Sequence, residues 1–401
     1  MQLIDLDAMV AAGQSATEIW GRLVETAVRH HASDIHMAFQ ADGLHVALRV
    51  DGRLVEQGII RSADDAWRLL NHVKVLGEID LGERRRPQAG RALVNAEDRQ
   101  VDLRVSLLPT LHGQDCVIRV LDRRVSLMSV EQLGMRRREL NRLFGLLASP
   151  SGLVVVTGPT GAGKTTTLYA AISRLNDGSR KIITIENPIE YDIPGVVQSQ
   201  VNYRIGVDYA SLLPTVLQHD PDIIMIGEIR DRETATAAVR AAVTGHLVFA
   251  TMHSLGAAAT IQTLLSLDVP PHFIARALRG AVAQNLVRRV CPACAEPIPE
   301  TESVLHLDDI RHLLEPGQTP RLVVGRGCAE CFGSGYRGRM GLFEIMAADE
   351  TIRHLIDERR PASDIHRAAV EAGMVTIEQT GKLAAFLGHT TVEEVVRVVT
   401  P

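Results

Sequence analysis

Residues 153–167, Leu-Val-Val-Val-Thr-Gly-Pro-Thr-Gly-Ala-Gly-Lys-Thr-Thr-Thr, limit what this chain can fold into more than any other stretch. Leu153 to Val156 read as a buried strand, and a Gly-rich turn then opens into a helix at Lys164-Thr165. Gly158, Gly163, Lys164 and Thr165 satisfy G-x-x-x-x-G-K-[ST] in the strand–turn–helix setting that gives the motif its meaning. Glycines let backbone N–H groups close on an anion with no Cβ in the way. The helix N-terminus adds partial positive charge. The run Gly158, Pro159, Thr160, Gly161, Ala162, Gly163, Lys164, Thr165 and Thr166 is therefore expected to bind the phosphates of a nucleotide. Lys164 is expected to reach the β- and γ-phosphates, and the Thr165 hydroxyl to ligate Mg2+.

Such a loop needs acids at neighbouring strand ends. The apolar run Asp222–Ile226 ends in Gly227-Glu228, which places Glu228 in the Mg2+ shell. Ile182 to Ile185 run into Glu186-Asn187-Pro188-Ile189-Glu190, and either Glu186 or Glu190 can orient an attacking water. His246 and His253 bracket the strand Leu247–Thr251. A strand-end histidine can bond a γ-phosphate, although a satisfied structural histidine is the commoner arrangement.

Strands at Lys181–Ile185, Asp222–Ile226 and Leu247–Thr251 alternate with helices near 164–176, 232–243 and 257–267, the pattern of a helix-covered parallel sheet. Upstream, residues 44–50 and 53–55 alternate as strands through an Asp51-Gly52 turn, as do 100–106 and 115–120. With helices over 15–31 and 64–76 and a charged loop over 83–91, residues 1–121 read as an α+β domain with an antiparallel sheet. Residues 122–131 read as a linker and 132–401 as the nucleotide domain. Within the latter, Cys291-x-x-Cys294 and Cys328-x-x-Cys331 have the spacing of a closed tetrathiolate zinc site, expected to be structural, which marks 291–331 as a zinc subdomain. Cys116 reads as a small buried hydrophobe.

A net charge of −5 and an aromatic content of 3% argue against a nucleic-acid translocase, which needs basic grooves and stacking platforms. No apolar run approaches the ~18 residues of a membrane span. The N-terminus carries no signal-peptide pattern, so a cytoplasmic protein is expected.

Taken together, these motifs resemble those of the type II secretion and type IV pilus assembly ATPase family (GspE/PilB-like) over nearly the whole chain. Ala32-Ser33-Asp34-Ile35-His36 and Arg104 to Thr110 are similar to motifs of that family's PAS-like domain. Gly158–Thr165 is similar to its Walker A, Ile185–Glu190 to its Asp box, Gly227–Asp231 to its Walker B and Thr244–His253 to its His box. Residues 283–294 and 327–344 are similar to its zinc-bearing part.

The resemblance implies a RecA-like P-loop domain preceded by a PAS-like α+β domain, in a homo-hexameric motor that hydrolyses ATP to assemble pilins or pseudopilins. It implies ATP, Mg2+ and Zn2+ as cofactors. The chain would be held at the inner membrane through a platform protein, and no nucleic acid would be involved. By position, Glu190 would be the catalytic base, Glu228 the Walker B acid, and Arg104 and Arg119 the arginines of the N-terminal domain. Several positions depart from the pattern: Asn187 stands where aspartate is usual, and Pro214, Gln218, Thr263 and Asn285 where arginines are. Ala89 also replaces an aspartate. These departures leave a weakly active or inactive ATP-binding paralogue with a structural or regulatory role as the alternative; a retraction motor is a further one, against which the resemblance sets the four cysteines of 291–331.

Overall fold

The computed structural model describes residues 4–122, 128–299 and 308–399. They form two compact units, Met1–Ser126 with Arg326–Gly338, and Leu127–Gly325 with Arg339–Pro401.

The first unit opens with α1 (Leu6–Ala11) and α2 (Ala16–Arg29). Ser15 starts α2 because its hydroxyl accepts the Glu18 N–H while the Glu18 carboxylate takes the Ser15 N–H, satisfying two donors the helix leaves over. Strands β1 (Asp34–Gln40), β2 (Gly43–Val50) and β3 (Arg53–Ile60) follow, then α3 (Ala63–Leu76) and β4 (Gln88–Ala96), β5 (Arg99–Thr110) and β6 (Gly113–Asp122). The sheet runs β3-β2-β1-β6-β5-β4 and every pairing is antiparallel. Alternation sends Ile35, Met37, Leu103, Val105 and Ile118 to one face, where Leu23, Ala27, Leu69 and Val73 of the two longer helices complete the core. The other face carries a cross-strand row, Arg49, Asp34, Arg119, Arg104 and Arg91 in register.

In the first unit, two strands escaped the sequence reading. β1 lies in a motif read only by type, and β4 begins inside the expected charged loop. Gly90 explains β4: a Cβ there would fall 2.1 Å from the Gly77 carbonyl oxygen, so only glycine lets this edge strand close on the end of α3. Residues 123–127 of the expected linker lie outside the described residues. Val130–Leu133 form a 3-10 turn.

The second unit contains α4 (Arg137–Leu147), β7 (Gly152–Thr157), α5 (Lys164–Leu175), β8 (Ile182–Glu186), β9 (Val197–Gln200), α6 (Tyr209–Gln218), β10 (Ile223–Ile226), α7 (Arg232–Val243), β11 (Leu247–Met252), α8 (Ala259–Ser266), α9 (Pro271–Ala277) and β12 (Leu278–Val290). A small pair, β13 (Ala295–Pro297) and β14 (Val323–Gly325), precedes β15 (Tyr336–Ala347), and α10 (Glu350–Asp357), α11 (Ala362–Glu371), α12 (Ile377–Phe386) and α13 (Val392–Val399) close the chain. The main sheet runs β15-β12-β7-β11-β10-β8-β9, with parallel pairing from β12 through β9. Strands β7, β8, β10 and β11 are buried throughout, as strands covered on both faces must be. The strands and helices expected around the phosphate loop are present, to within two residues at each end.

Candidate active site

Because β7, β8, β10 and β11 are parallel neighbours, their C-terminal ends share one edge of the sheet. Ligands of such sheets bind beyond that edge. Gly158 follows β7, Glu186 ends β8, Glu228 lies two residues past β10, and His253 follows β11 directly. His246 lies at the opposite end of β11, where its Nδ1 is 3.0 Å from the Ala241 carbonyl oxygen. The sequence offered two histidines, and the topology brings only His253 to the phosphate loop.

The loop is shaped for close approach. A Cβ on Gly158, whose φ is +145°, would lie 2.2 Å from the Gln284 carbonyl oxygen of β12. Gln284 also accepts the Thr167 hydroxyl of α5 at 2.7 Å, so β12 supports the loop from below. Ala162, Gly163 and Lys164 are covered or partly covered, whereas Pro159, Thr160, Gly161, Thr165 and Thr166 are exposed at the start of α5. Exposed backbone and hydroxyl donors at a helix N-terminus suit a polyphosphate.

A chain of charge runs through the site. Lys164 Nζ donates to the Gly158 carbonyl at 2.7 Å and the Pro159 carbonyl at 3.0 Å, and lies 3.3 Å from His253 Nδ1. His253 Nε2 lies 2.8 Å from Glu228 Oε1, and Arg230 reaches the other Glu228 oxygen at 2.6 Å. Burial pushes the Lys164 ammonium below its ordinary pKa, and Glu228 works against that shift. The hydrogen bond from Arg230 to Glu228 raises the Arg230 pKa. The basic end of this chain suits a γ-phosphate, and Glu228 with the Thr165 hydroxyl supplies the oxygen donors a Mg2+ ion prefers.

The two candidate bases separate by environment. Glu186 is 2% exposed, and its carboxylate accepts from Tyr169, from Thr184 at 2.6 Å and from Gln198 at 2.9 Å. A carboxylate committed to three protein donors is poorly placed to take a proton from water. Glu190 is half-buried in the loop after β8.

Other residues singled out in the sequence lie elsewhere. Pro214 and Gln218 are on α6. The Thr263 hydroxyl is 2.8 Å from that of Ser254, next to His253. Asn285 donates to the Val398 carbonyl at 3.4 Å. Arg104 and Arg119 are paired in register on the sheet of the first unit, and Arg119 Nε donates to Asp34 at 3.2 Å. Cys116 is fully buried, and burial pushes its thiol pKa up. The sulfurs of Cys291, Cys294, Cys328 and Cys331 lie within 4.8 Å of one another, a donor set that fits a tetrahedral zinc ion. Sequence reasoning assigned no role to Tyr169, Thr157 or Arg230. The Thr157 hydroxyl takes the Ser254 N–H at 2.7 Å and so ties the His253 turn to the end of β7. Arg230 was legible by its adjacency to Glu228, whereas Tyr169 and Thr157 carry no signal except their place beside the loop.

Comparison with known proteins places these features in context. A family model described as type II/IV secretion system protein matches residues 12–397. Type II secretion system protein E of Pseudomonas aeruginosa is 41% identical over 372 residues, covering 93% of this chain and 73% of that protein. The type IV pilus assembly ATPase PilB of Thermus thermophilus is 39% identical over 378 residues, covering 93% of this chain and 42% of that protein. Among solved structures, the Legionella pneumophila ATPase DotB shares the fold with a TM-score of 0.69 at 22% identity, over 94% of each chain. The pilus retraction motor PilT with bound ADP does so at 0.62 and 24% identity, over 95% of this chain and 96% of that one.

Proposed function

This chain belongs to the type II/IV secretion system protein family, and we infer from its site that it is an ATPase whose hydrolysis drives assembly of pilin or pseudopilin subunits in a secretion or pilus machine. The Lys164–His253–Glu228 chain at the phosphate loop carries this reading, because it gathers the charge needed for a bound triphosphate at one sheet edge.

In this reading Lys164 holds the β- and γ-phosphates, and Thr165 and Glu228 hold Mg2+. Bound Mg2+ would supply Lewis-acid stabilisation of the charge that develops on the phosphoryl oxygens. His253 sits between Lys164 and Glu228 and senses whether a γ-phosphate is present. Glu190 orients the attacking water, and Arg104 and Arg119 supply positive charge from the PAS-like domain, read as residues 1–121. Zinc at the four cysteines fixes the C-terminal subdomain. We place the protein in a homo-hexamer on the cytoplasmic side of the inner membrane, held there by a platform protein. Among the described residues, no helix is long and apolar enough to cross a membrane. The test is ATP turnover by the purified chain, with pseudopilin assembly scored in cells carrying Lys164→Ala. Full turnover or full assembly by that variant would overturn the reading.

A further inference from the structure

Tyr169 lies on α5, five residues beyond Lys164, with its ring only 2% exposed. Its hydroxyl makes two bonds of opposite polarity. It donates to Glu186 Oε2, and it accepts the backbone N–H of Glu190 at 3.2 Å. Burial, reinforced by the Glu186 charge, pushes the phenol pKa up, so the proton stays on the oxygen and a lone pair is left for the Glu190 amide. Glu186 in turn is fixed by Thr184 and by Gln198 of β9.

Gln198 continues the clamp along the same loop. It donates to the Tyr191 carbonyl at 3.0 Å and accepts the Ile193 N–H at 2.8 Å. The Tyr191 ring stands edge-on to Tyr169, with centroids 6.0 Å apart. The main chain from 190 to 193 is thus held from one side by the phosphate helix and from the other by β9.

We propose that Tyr169, oriented by Glu186, is the positioning residue that fixes Glu190 relative to the phosphate-binding helix. This rests on the reading of Glu190 as the base. α5 begins at Lys164, so a displacement of the helix by bound phosphates reaches the main chain of the water-orienting residue through the phenol. Glu186 serves as the anchor of that phenol.

The test uses the full-length chain. Tyr169→Phe removes one oxygen and leaves the ring packing in place. Misplacing a reacting group by about 1 Å costs on the order of 100-fold, so kcat is expected to fall ~10–100-fold while affinity for a non-hydrolysable ATP analogue stays within ~2-fold. The Glu190 amide should exchange its hydrogen faster, and Glu186→Gln, which can still accept from the phenol, should retain more activity than Glu186→Ala. In a Glu190→Gln background Tyr169→Phe should cost nothing further, because the two act as a unit. The proposal fails if Tyr169→Phe keeps wild-type kcat, or if it lowers single-turnover rate by the same factor in both backgrounds. It also fails if it weakens analogue binding in step with thermal stability. Wild-type turnover by Glu190→Gln alone is a separate result: it removes the base assignment, and the role of Tyr169 with it.

Discussion

At the scale of single residues, chemistry follows environment more closely than residue type. Lys164 is buried, and its ammonium is bonded to two carbonyls of its own loop. Lys164→Ala removes the positive charge proposed to meet the β- and γ-phosphates, and loss of one such electrostatic contact typically costs ~100–1,000-fold in rate. Steady-state ATPase measurements should show at least that loss. Glu186 and Glu190, four positions apart, are both candidates by residue type; the family resemblance points to Glu190, and the three donors on Glu186 make it the poorer base. Glu190→Gln should therefore retain nucleotide binding and lose hydrolysis. Glu186→Gln should show a smaller drop in kcat, and the reverse ranking would exchange the two assignments.

Among the elements, α13 shows how the end of the chain is held. Glu394 is fully buried, and it accepts from Arg397 at 2.8 and 2.6 Å, from Arg288 Nη2 of β12 at 2.6 Å and from the Arg288 backbone N–H at 2.9 Å. Burial alone would raise its pKa. The bonds from Arg397 and Arg288 outweigh it and leave the carboxyl at about 2, against an ordinary 4.5. With a folded pKa below the unfolded one, the stabilisation is complete above pH about 4.5 and is lost as the pH falls toward about 2. Glu394→Gln strands buried guanidinium charge and should cost roughly 3–5 kcal/mol at pH 7 by denaturant unfolding, with the difference from wild type shrinking in acid. The knuckles at Cys291–Cys294 and Cys328–Cys331 are the other clasp. Stoichiometric zinc should co-purify, and Cys291→Ser should lower metal content and the thermal midpoint together, by at least ~5 °C, because binding free energy of a closed site is folding free energy. A metal-free native protein with four titratable thiols would contradict this.

For the molecule as a whole, the question is where the remaining positive charge comes from. With Pro214 and Gln218 where the family resemblance implies arginines, α6 of the second unit carries no basic side chain. The first unit carries Arg49, Arg119, Arg104 and Arg91 in a single cross-strand row, moderated by Asp34 and by Asp102, which is paired with Arg91. If Arg104 acts on a nucleotide across a subunit boundary, turnover per subunit should rise with protein concentration as rings assemble. Arg104→Ala should then lower kcat on the order of the ~1,000-fold attributed to arginine fingers, with little change in ATP affinity. A dilution series of both proteins decides it: concentration-independent turnover, with the variant equal to wild type, would leave no role for Arg104 in catalysis.

How much of this the sequence held depends on the range of the interaction concerned. The phosphate loop, the strand-end acids, the alternation of the first sheet and the two Cys-x-x-Cys knuckles are local patterns, fixed by residues within a few positions of each other. They were legible for that reason. β4 was not, because its pairing is decided by an edge vacancy beside β5 and by the room Gly90 leaves at Gly77, neither of which leaves a periodic trace. The family resemblance already pointed to Glu190 and to the stretch that ends in His253; the physical reason for preferring them to Glu186 and His246 belongs to the tertiary structure. It is strand direction that puts one histidine at the loop and the other at the far edge, and Tyr169, Thr184 and Gln198, which saturate Glu186, come from three different elements. Residue types set which chemistry this chain can perform; packing across elements set which histidine reaches the phosphate loop and which acid is committed to protein donors.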